Sequence, residues 1–246
     1  MWHTRATWSA REDRTIFLVW LALLWIGVLA GFGVDIPRFL HEVPPPRLVV
    51  HVHAFVFTGW MFLLTLQILL VVGDRVTLHR RLGWFTAGWA ALMAVLGPWA
   101  AMVAKGPVPS GPPSPQFLSI QFGGIGAFLV LLAWGITLRK NPAAHKRIMI
   151  LATVALIDAG FGRVAGWLFP EPKSMLAWYF WEFYGTLLIL LLMTAWDAWR
   201  GRLMKQFVIG AVGLFLLEWV QVGLYFWTPW KTFTTGLIAA WAKHFG

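Results

Sequence analysis

No cysteine occurs among the 246 residues. That absence excludes disulfides, thiolate metal centres, cysteine nucleophiles and haem attachment through a C-x-x-C-H motif. Charge is scarce as well. Asp, Glu, Lys and Arg make up 12% of the chain, about half their share in a soluble domain. No H-E-x-x-H helix, phosphate-cradling glycine loop or Ser-His-Asp arrangement is present, so hydrolytic and nucleotide-driven chemistry has no motif behind it. An enzymatic role is therefore not the first expectation.

What fills the chain is apolar. Hydrophobic residues account for 59%, with 24 glycines besides, which excludes an ordinary soluble domain and a disordered chain. The reading is an all-α polytopic transmembrane bundle forming a single integral membrane domain over 1–246. Seven stretches have the roughly 20 apolar residues that a span needs: 15–34, 49–72, 82–104, 116–138, 147–169, 177–197 and 206–227. Ser9 and Glu12 form a capping box ahead of the first, which reads as a retained helix and not as a cleaved signal peptide. Pro44, Pro45 and Pro46 interrupt the chain before the second span. Asn141-Pro142 supplies an N-cap and a first-turn proline for the fifth. The proline-rich stretch from Gly106 to Pro115 reads as a loop. Residues 232–242 are too short to cross and, with Trp227, Trp230 and Trp241 around them, read as an interfacial helix.

The net charge of +10 would suggest nucleic acid in a soluble protein, but in a membrane protein basic residues gather in cytoplasmic turns. Nucleic acid is not an expected partner; the lipid bilayer is. Thirteen of the 20 basic residues fall on the N-terminal side of the membrane, Arg75, Arg80, Arg81, Arg139, Lys146, Arg147 and Arg200 among them, and six on the other. The positive-inside rule then makes the N-terminus cytoplasmic.

Ionisable residues inside a span cost at least about 2.5–3.5 kcal/mol on insertion scales, so each needs a partner or a task. Asp158 in the fifth span and Glu218 in the last are the central ones, and Gln67 is a further intramembrane polar residue, in the second. They read either as proton or cofactor sites or as carboxyls hydrogen-bonded between helices. Depth matching sets Arg163 beside Glu182 as an expected ion pair, with His53 and Gln121 at the same level, so that the four outline an outward-facing polar pocket for a small ligand, a quinone head group or a tetrapyrrole edge. Ala155, Gly162 and Ala165 share the face of Asp158, a small-residue stripe suited to helix contact. His51 and His53, two apart, diverge by about 200° on a helix and cannot share an ion there; no metal site is expected.

Two hairpins resemble each other. His79-Arg80-Arg81-Leu82-Gly83 opens the third span and His145-Lys146-Arg147 opens the fifth, each after an apolar span and a short turn, suggesting a repeat of helix pairs over 49–104 and 116–169. The repeat brings His79 and His145 to one side, where imidazoles on facing helices of a bundle could hold haem b as an axial pair and the adjacent basic residues could neutralise its propionates. Equally, basic turns resemble one another for topological reasons alone.

His53, Gln67 fourteen residues on, His79-Arg80-Arg81-Leu82-Gly83 and His145-Lys146-Arg147 together resemble a group of uncharacterised bacterial polytopic membrane proteins, over about residues 49–165. The resemblance implies a multi-pass protein of the bacterial inner membrane and no activity. His53, Gln67, His79 and Gly83 also resemble, faintly, the transmembrane di-haem cytochromes b, whose four histidines stand on four consecutive helices. Here the fourth helix carries Gln121, and His145 lies one helix later. Three functional expectations follow. The first is an integral subunit or accessory protein packing against partner helices, lipid or pigment in a larger membrane complex. The second is a haem b or quinone-linked electron-transfer protein, and the third a proton-coupled small-molecule transporter.

Overall fold

The computed structural model describes residues 10–43, 45–104, 114–170 and 172–245, and these are helical with no strand among them. His3, Ser9 of the capping box, Pro44 and most of the Gly106–Pro115 stretch lie outside them. The helices are α1 (Ala10–Leu40), α2 (Leu48–Val72), α3 (Val76–Ala104), α4 (Leu118–Thr137), α5 (Pro142–Val154), α6 (Asp158–Leu168), α7 (Met175–Trp199), α8 (Lys205–Phe226) and α9 (Thr228–Phe245). Six are long and apolar enough to cross a membrane singly, and α5 with α6, bent by 44° where they meet, is so only as a pair. The chain is a polytopic helical membrane protein.

The short turns make successive spans antiparallel. One end of the bundle, here the basic end, carries the α2–α3, α4–α5 and α7–α8 turns and the start of α1. At the opposite end, α9 lies against the end of α3 and the start of α4: Ile238 packs with Ala101, Met102 and Leu118, and Trp230 Nε1 donates to the Gln116 carbonyl (2.9 Å). The expected terminal helix is thus longer than 232–242.

The turns are built as their residues require. Asn141 caps α5 by accepting from the Ala144 amide (3.3 Å), with Pro142 in the first turn. Gly201, at φ 62°, ends α7 in a Schellman motif in which Gly201 N–H donates to Ala198 and Arg202 N–H to Asp197. The same motif ends α2, but there the left-handed residue is Asp74 (φ 58°). Its carboxylate takes a bond from Arg14 Nη2 (2.5 Å), tying α1 to the α2–α3 turn. The guanidinium holds the exposed Asp74 carboxyl below the usual carboxylate range.

The core joins α1, α2, α3, α4, α5, α7 and α8 around Trp20, Leu24, Trp60, Met93, Phe128 and Leu151. Trp60 meets Phe128 edge to face (4.8 Å, 88°) and donates Nε1 to Thr153 Oγ1 (3.1 Å), so its polar edge is satisfied in the interior. Large apolar side chains such as Leu29, Phe62, Trp84 and Val130 are exposed on the outside of the helices, as lipid contact demands.

Two features correct the sequence reading. The fifth span is not one straight helix over 147–169: the α-helical ladder breaks at Ala155-Leu156-Ile157, where Leu156 and Ile157 donate to carbonyls three residues back. Arg147, assigned to a basic turn, is buried. It grips Asp197 of α7 with Nε–Oδ2 at 2.5 Å and Nη2–Oδ1 at 2.7 Å, and its Nη1 donates to the Ala143 carbonyl (3.0 Å). The backbone approach of α6 to α1 is set by glycines. A Cβ on Gly31 would collide with the Gly160 carbonyl, and one on Gly160 with that of Gly27. Gly27 and Gly31 form a G-x-x-x-G pair, the spacing that admits such a crossing.

Candidate functional site

At the basic end, α3 and α5 present matching histidines. Each is the fourth residue of its helix, and each backbone N–H donates to the residue just before that helix: His79 to Arg75 (3.0 Å) and His145 to Asn141 (2.9 Å). Each ring turns Nδ1 toward a carbonyl of the preceding antiparallel helix, His79 toward Gln67 of α2 (3.3 Å) and His145 toward Gly135 of α4 (2.7 Å). A carbonyl only accepts, so in this arrangement Nδ1 carries the hydrogen and, in the neutral ring, Nε2 carries the lone pair. The two rings are neighbours, with centroids 6.3 Å apart and planes at 82°, edge to face. Both histidines are half-buried.

Gln67 backs this site from within. Its buried amide donates to Thr86 Oγ1 (3.1 Å), whose hydroxyl donates to the Leu82 carbonyl (3.0 Å). With its amide oxygen and nitrogen exchanged, Gln67 instead donates to the His79 carbonyl and Nδ1 and accepts from Thr86 and the Gly83 amide. In either orientation it lies against the α3 backbone beside Gly83, where a Cβ would come within 3.8 Å of its nitrogen. The Gln67–His79–Gly83 spacing read from the sequence is thus one contact.

The other polar residues divide into two groups near the opposite end. Arg163 pairs with Asp35 of α1 (3.1 Å) and donates to the Ala159 carbonyl, with its guanidinium 4.5 Å from the centre of the Phe32 ring. The ion pair expected with Glu182 is therefore made with Asp35 instead; residue 35 lies beyond the end assigned to the first span, and α1 continues to Leu40 despite Pro37. His53 stacks on Phe57 (4.0 Å), bonds the Leu96 backbone and feels the charge of Arg163. Its Nδ1 lacks a partner, as does Gln121 Oε1. α2 and α4 run parallel in register, Trp60 against Phe128, so seven residues earlier His53 and Gln121 stand at one level. His51 turns away onto Phe39 (5.3 Å). Among the described residues no three His, Cys, Asp or Glu side chains are grouped to hold a metal ion.

The second group is acidic. Asp158, the first residue of α6 after the break, accepts from Thr186 Oγ1 of α7. Glu182, one turn from Thr186, lies over Gly162, where a Cβ would sit 3.0 Å from Oε2. Glu218 of α8 accepts from Tyr179 OH (2.9 Å), and the Tyr179 ring stacks on Trp219 (4.3 Å, 7°). The three carboxyls are buried, and Asp158 feels the charge of both glutamates. Four features escape the sequence: Asp197 as the partner of Arg147, Asp35 as that of Arg163, Thr186 on Asp158, and the broken helix. The G-x-x-x-G at Gly27 is the one sequence signal that would have placed α1 against α6.

Compared with protein-family models, with curated proteins and with solved structures, the chain matches none.

Proposed function

We propose that this protein is a membrane electron carrier that holds haem b between His79 and His145. The observation that carries the reading is the close pair of imidazoles on neighbouring spans. Two such rings binding one iron from opposite sides, through metal–nitrogen bonds of about 2 Å, have centres about 6 Å apart; here the separation is 6.3 Å. Nδ1 of His145 on the Gly135 carbonyl is the outer-shell bond that orients a ligating histidine and leaves Nε2 for the metal, and His79 makes the matching contact to the Gln67 carbonyl when the Gln67 amide is not exchanged. Arg80, Arg81 and Lys146 stand beside the histidines in sequence, suited to haem propionates. Bound there, haem would supply one-electron chemistry; the chain would hold the rings in register, keep the inner side closed with Gln67 and Thr86, and balance propionate charge.

The test is optical. The protein purified from haem-replete cells is expected to show a sharp α-band in the dithionite-reduced minus oxidised spectrum, abolished in both His79→Ala and His145→Ala. A colourless, folded, monodisperse preparation refutes the proposal. A packing role in a larger complex rests on the exposed apolar surface alone, and lipid accounts for that surface equally well.

A further inference from the structure

Apart from the histidine pair, the interior holds a line of polar groups that packing does not explain. Asp158 of α6 and Glu218 of α8 both bond to α7, and the groups that hold them are hydroxyls, Thr186 and Tyr179, two turns apart on that helix. Glu218 uses one carboxyl oxygen on Tyr179; the other, in a residue 1% exposed, has no partner. One turn along α8, Gln221 is 3% exposed and its Oε1 is likewise unpartnered. Gln221 packs on Gly123 of α4 so closely that a Cβ there would collide with its amide. One turn above Gly123 stands Ser119, also 3% exposed, with an unpartnered hydroxyl. Beyond it Ser114 and Tyr225 hydroxyls meet at 3.5 Å, both half-buried at the end of the bundle.

A buried polar atom without a partner costs about 1–3 kcal/mol, and three along one seam are the places where water bridges polar groups in an interior. Two carboxylates in a bilayer core cannot both keep their charge without a compensating cation. The smallest such cation, and the one that hydroxyls and amides relay, is a proton. We propose that Asp158 and Glu218 form a proton-loading site at the helix break, filled from the end opposite the histidines along Tyr225, Ser119 and Gln221. A proton passes from an entering water to the free Glu218 oxygen, while the Tyr179 and Thr186 hydroxyls hold one oxygen each of Glu218 and Asp158. The titratable neighbours are Glu182 and Tyr184 of α7, Tyr225 of α8, Arg163 of α6 with Asp35 of α1, and His53 of α2; α4 contributes none here, and the ionisable groups of α5 stand at the basic end. This proposal does not depend on haem.

Infrared spectroscopy of the full-length protein in lipid nanodiscs tests it. A protonated-carboxyl stretch is expected at neutral pH, shifting when the water is exchanged for heavy water and reduced in both Asp158→Asn and Glu218→Gln. Ser119→Val and Gln221→Leu are expected to keep the band but slow its isotope shift by about tenfold, the effect of one lost hydrogen bond on a barrier. Three outcomes overturn the proposal: no such band in the wild type, a band indifferent to heavy water, or a band abolished by sodium or potassium at constant pH, which makes the site a metal-cation site. The wild-type isotope measurement stands even if a variant fails to fold.

Discussion

Replacing one partner of the Arg147–Asp197 pair is expected to destabilise this protein more than any other single loss of charge. The guanidinium makes two bonds to the carboxylate, at 2.5 and 2.7 Å, and a third to the Ala143 carbonyl at 3.0 Å, with the two side chains 2% and 6% exposed. A surface pair would contribute about 0–1 kcal/mol. Here Asp197→Leu removes the charge opposite a buried cation, and breaking such a pair costs about 3–5 kcal/mol. Arg147→Met is expected to cost a similar amount by stranding the carboxylate. Together with Asp197→Leu it should recover most of the loss, because two buried charges are then replaced by apolar volume, an exchange often neutral or favourable. The double-mutant cycle therefore predicts a coupling of at least about 2 kcal/mol, near the upper end for residues in contact. Detergent-titrated unfolding followed by tryptophan fluorescence measures all four corners. Single variants within about 0.5 kcal/mol of wild type, the scatter of distant independent sites, would show that water reaches the pair and that the burial argument is wrong.

Other consequences are shorter. Gly160→Val and Gly31→Leu place side-chain atoms where the opposing backbone runs; overpacking of that kind costs about 1–3 kcal/mol or more and should lower the melting temperature in fluorescence-detected size exclusion, while Gly33→Ala, at a glycine with open space, should not. Asp74→Gly relieves the left-handed backbone at that turn while removing the Arg14 clamp, so its melting temperature is expected to stay near wild type, whereas Asp74→Leu, which loses the clamp and keeps the strain, lowers it. The Arg14–Asp74 clamp has its carboxyl depressed in the folded state, so its contribution is present above the ordinary carboxyl range and fades as pH falls through the depressed one, below about pH 4. Asp74→Asn should flatten that part of a stability–pH profile. Gln67→Leu is expected to broaden or shift the optical band assigned to His79 and His145 without abolishing it, because it removes a buried neighbour and not a ligand.

The fold was legible because span length is a strong constraint: about 20 apolar residues between polar turns is hard to counterfeit. Asn141-Pro142 was legible for a local reason, one side chain capping one amide. The side-chain partners were not. In a bilayer the outside of a helix is as apolar as its inside, so Phe62, 62% exposed, and Trp60, 1% exposed, look alike in sequence. Face must then be read from polar and small residues, and these mislead when a helix breaks. Counting a straight helix through Ala155–Ile157 carries Arg163 toward Glu182, while the 44° bend and the extension of α1 past Pro37 bring Arg163 to Asp35. Arg147 was misjudged because a cation near a turn is counted toward topology whether it faces water or Asp197. Gln67 and His79 came out together because the hairpin that joins them is short.

The two proposed features stand at different depths, and what separates them decides how they interact. Between Thr186 and the basic end α7 presents Ile189, Leu190 and Met193 to the interior, and α5 contributes Ile148, Leu151 and Val154, all buried and apolar. Trp60 bonded to Thr153 and Trp25 bonded to Thr65 are polar contacts in this layer, and each threonine hydroxyl passes its own hydrogen to a carbonyl one turn back. A proton arriving at Asp158 thus has no run of free polar atoms leading on toward His79 and His145. Charge at the two sites still interacts through a medium of low dielectric, where a Coulomb term falls only with distance. An electron placed at the histidine pair would draw a proton to Asp158 without passing through it. That reciprocity is measurable: a pH-dependent midpoint potential for the optical band, flattened by Asp158→Asn with the band itself intact, would tie the two ends together. A potential indifferent to that substitution would leave them as separate devices in one bundle.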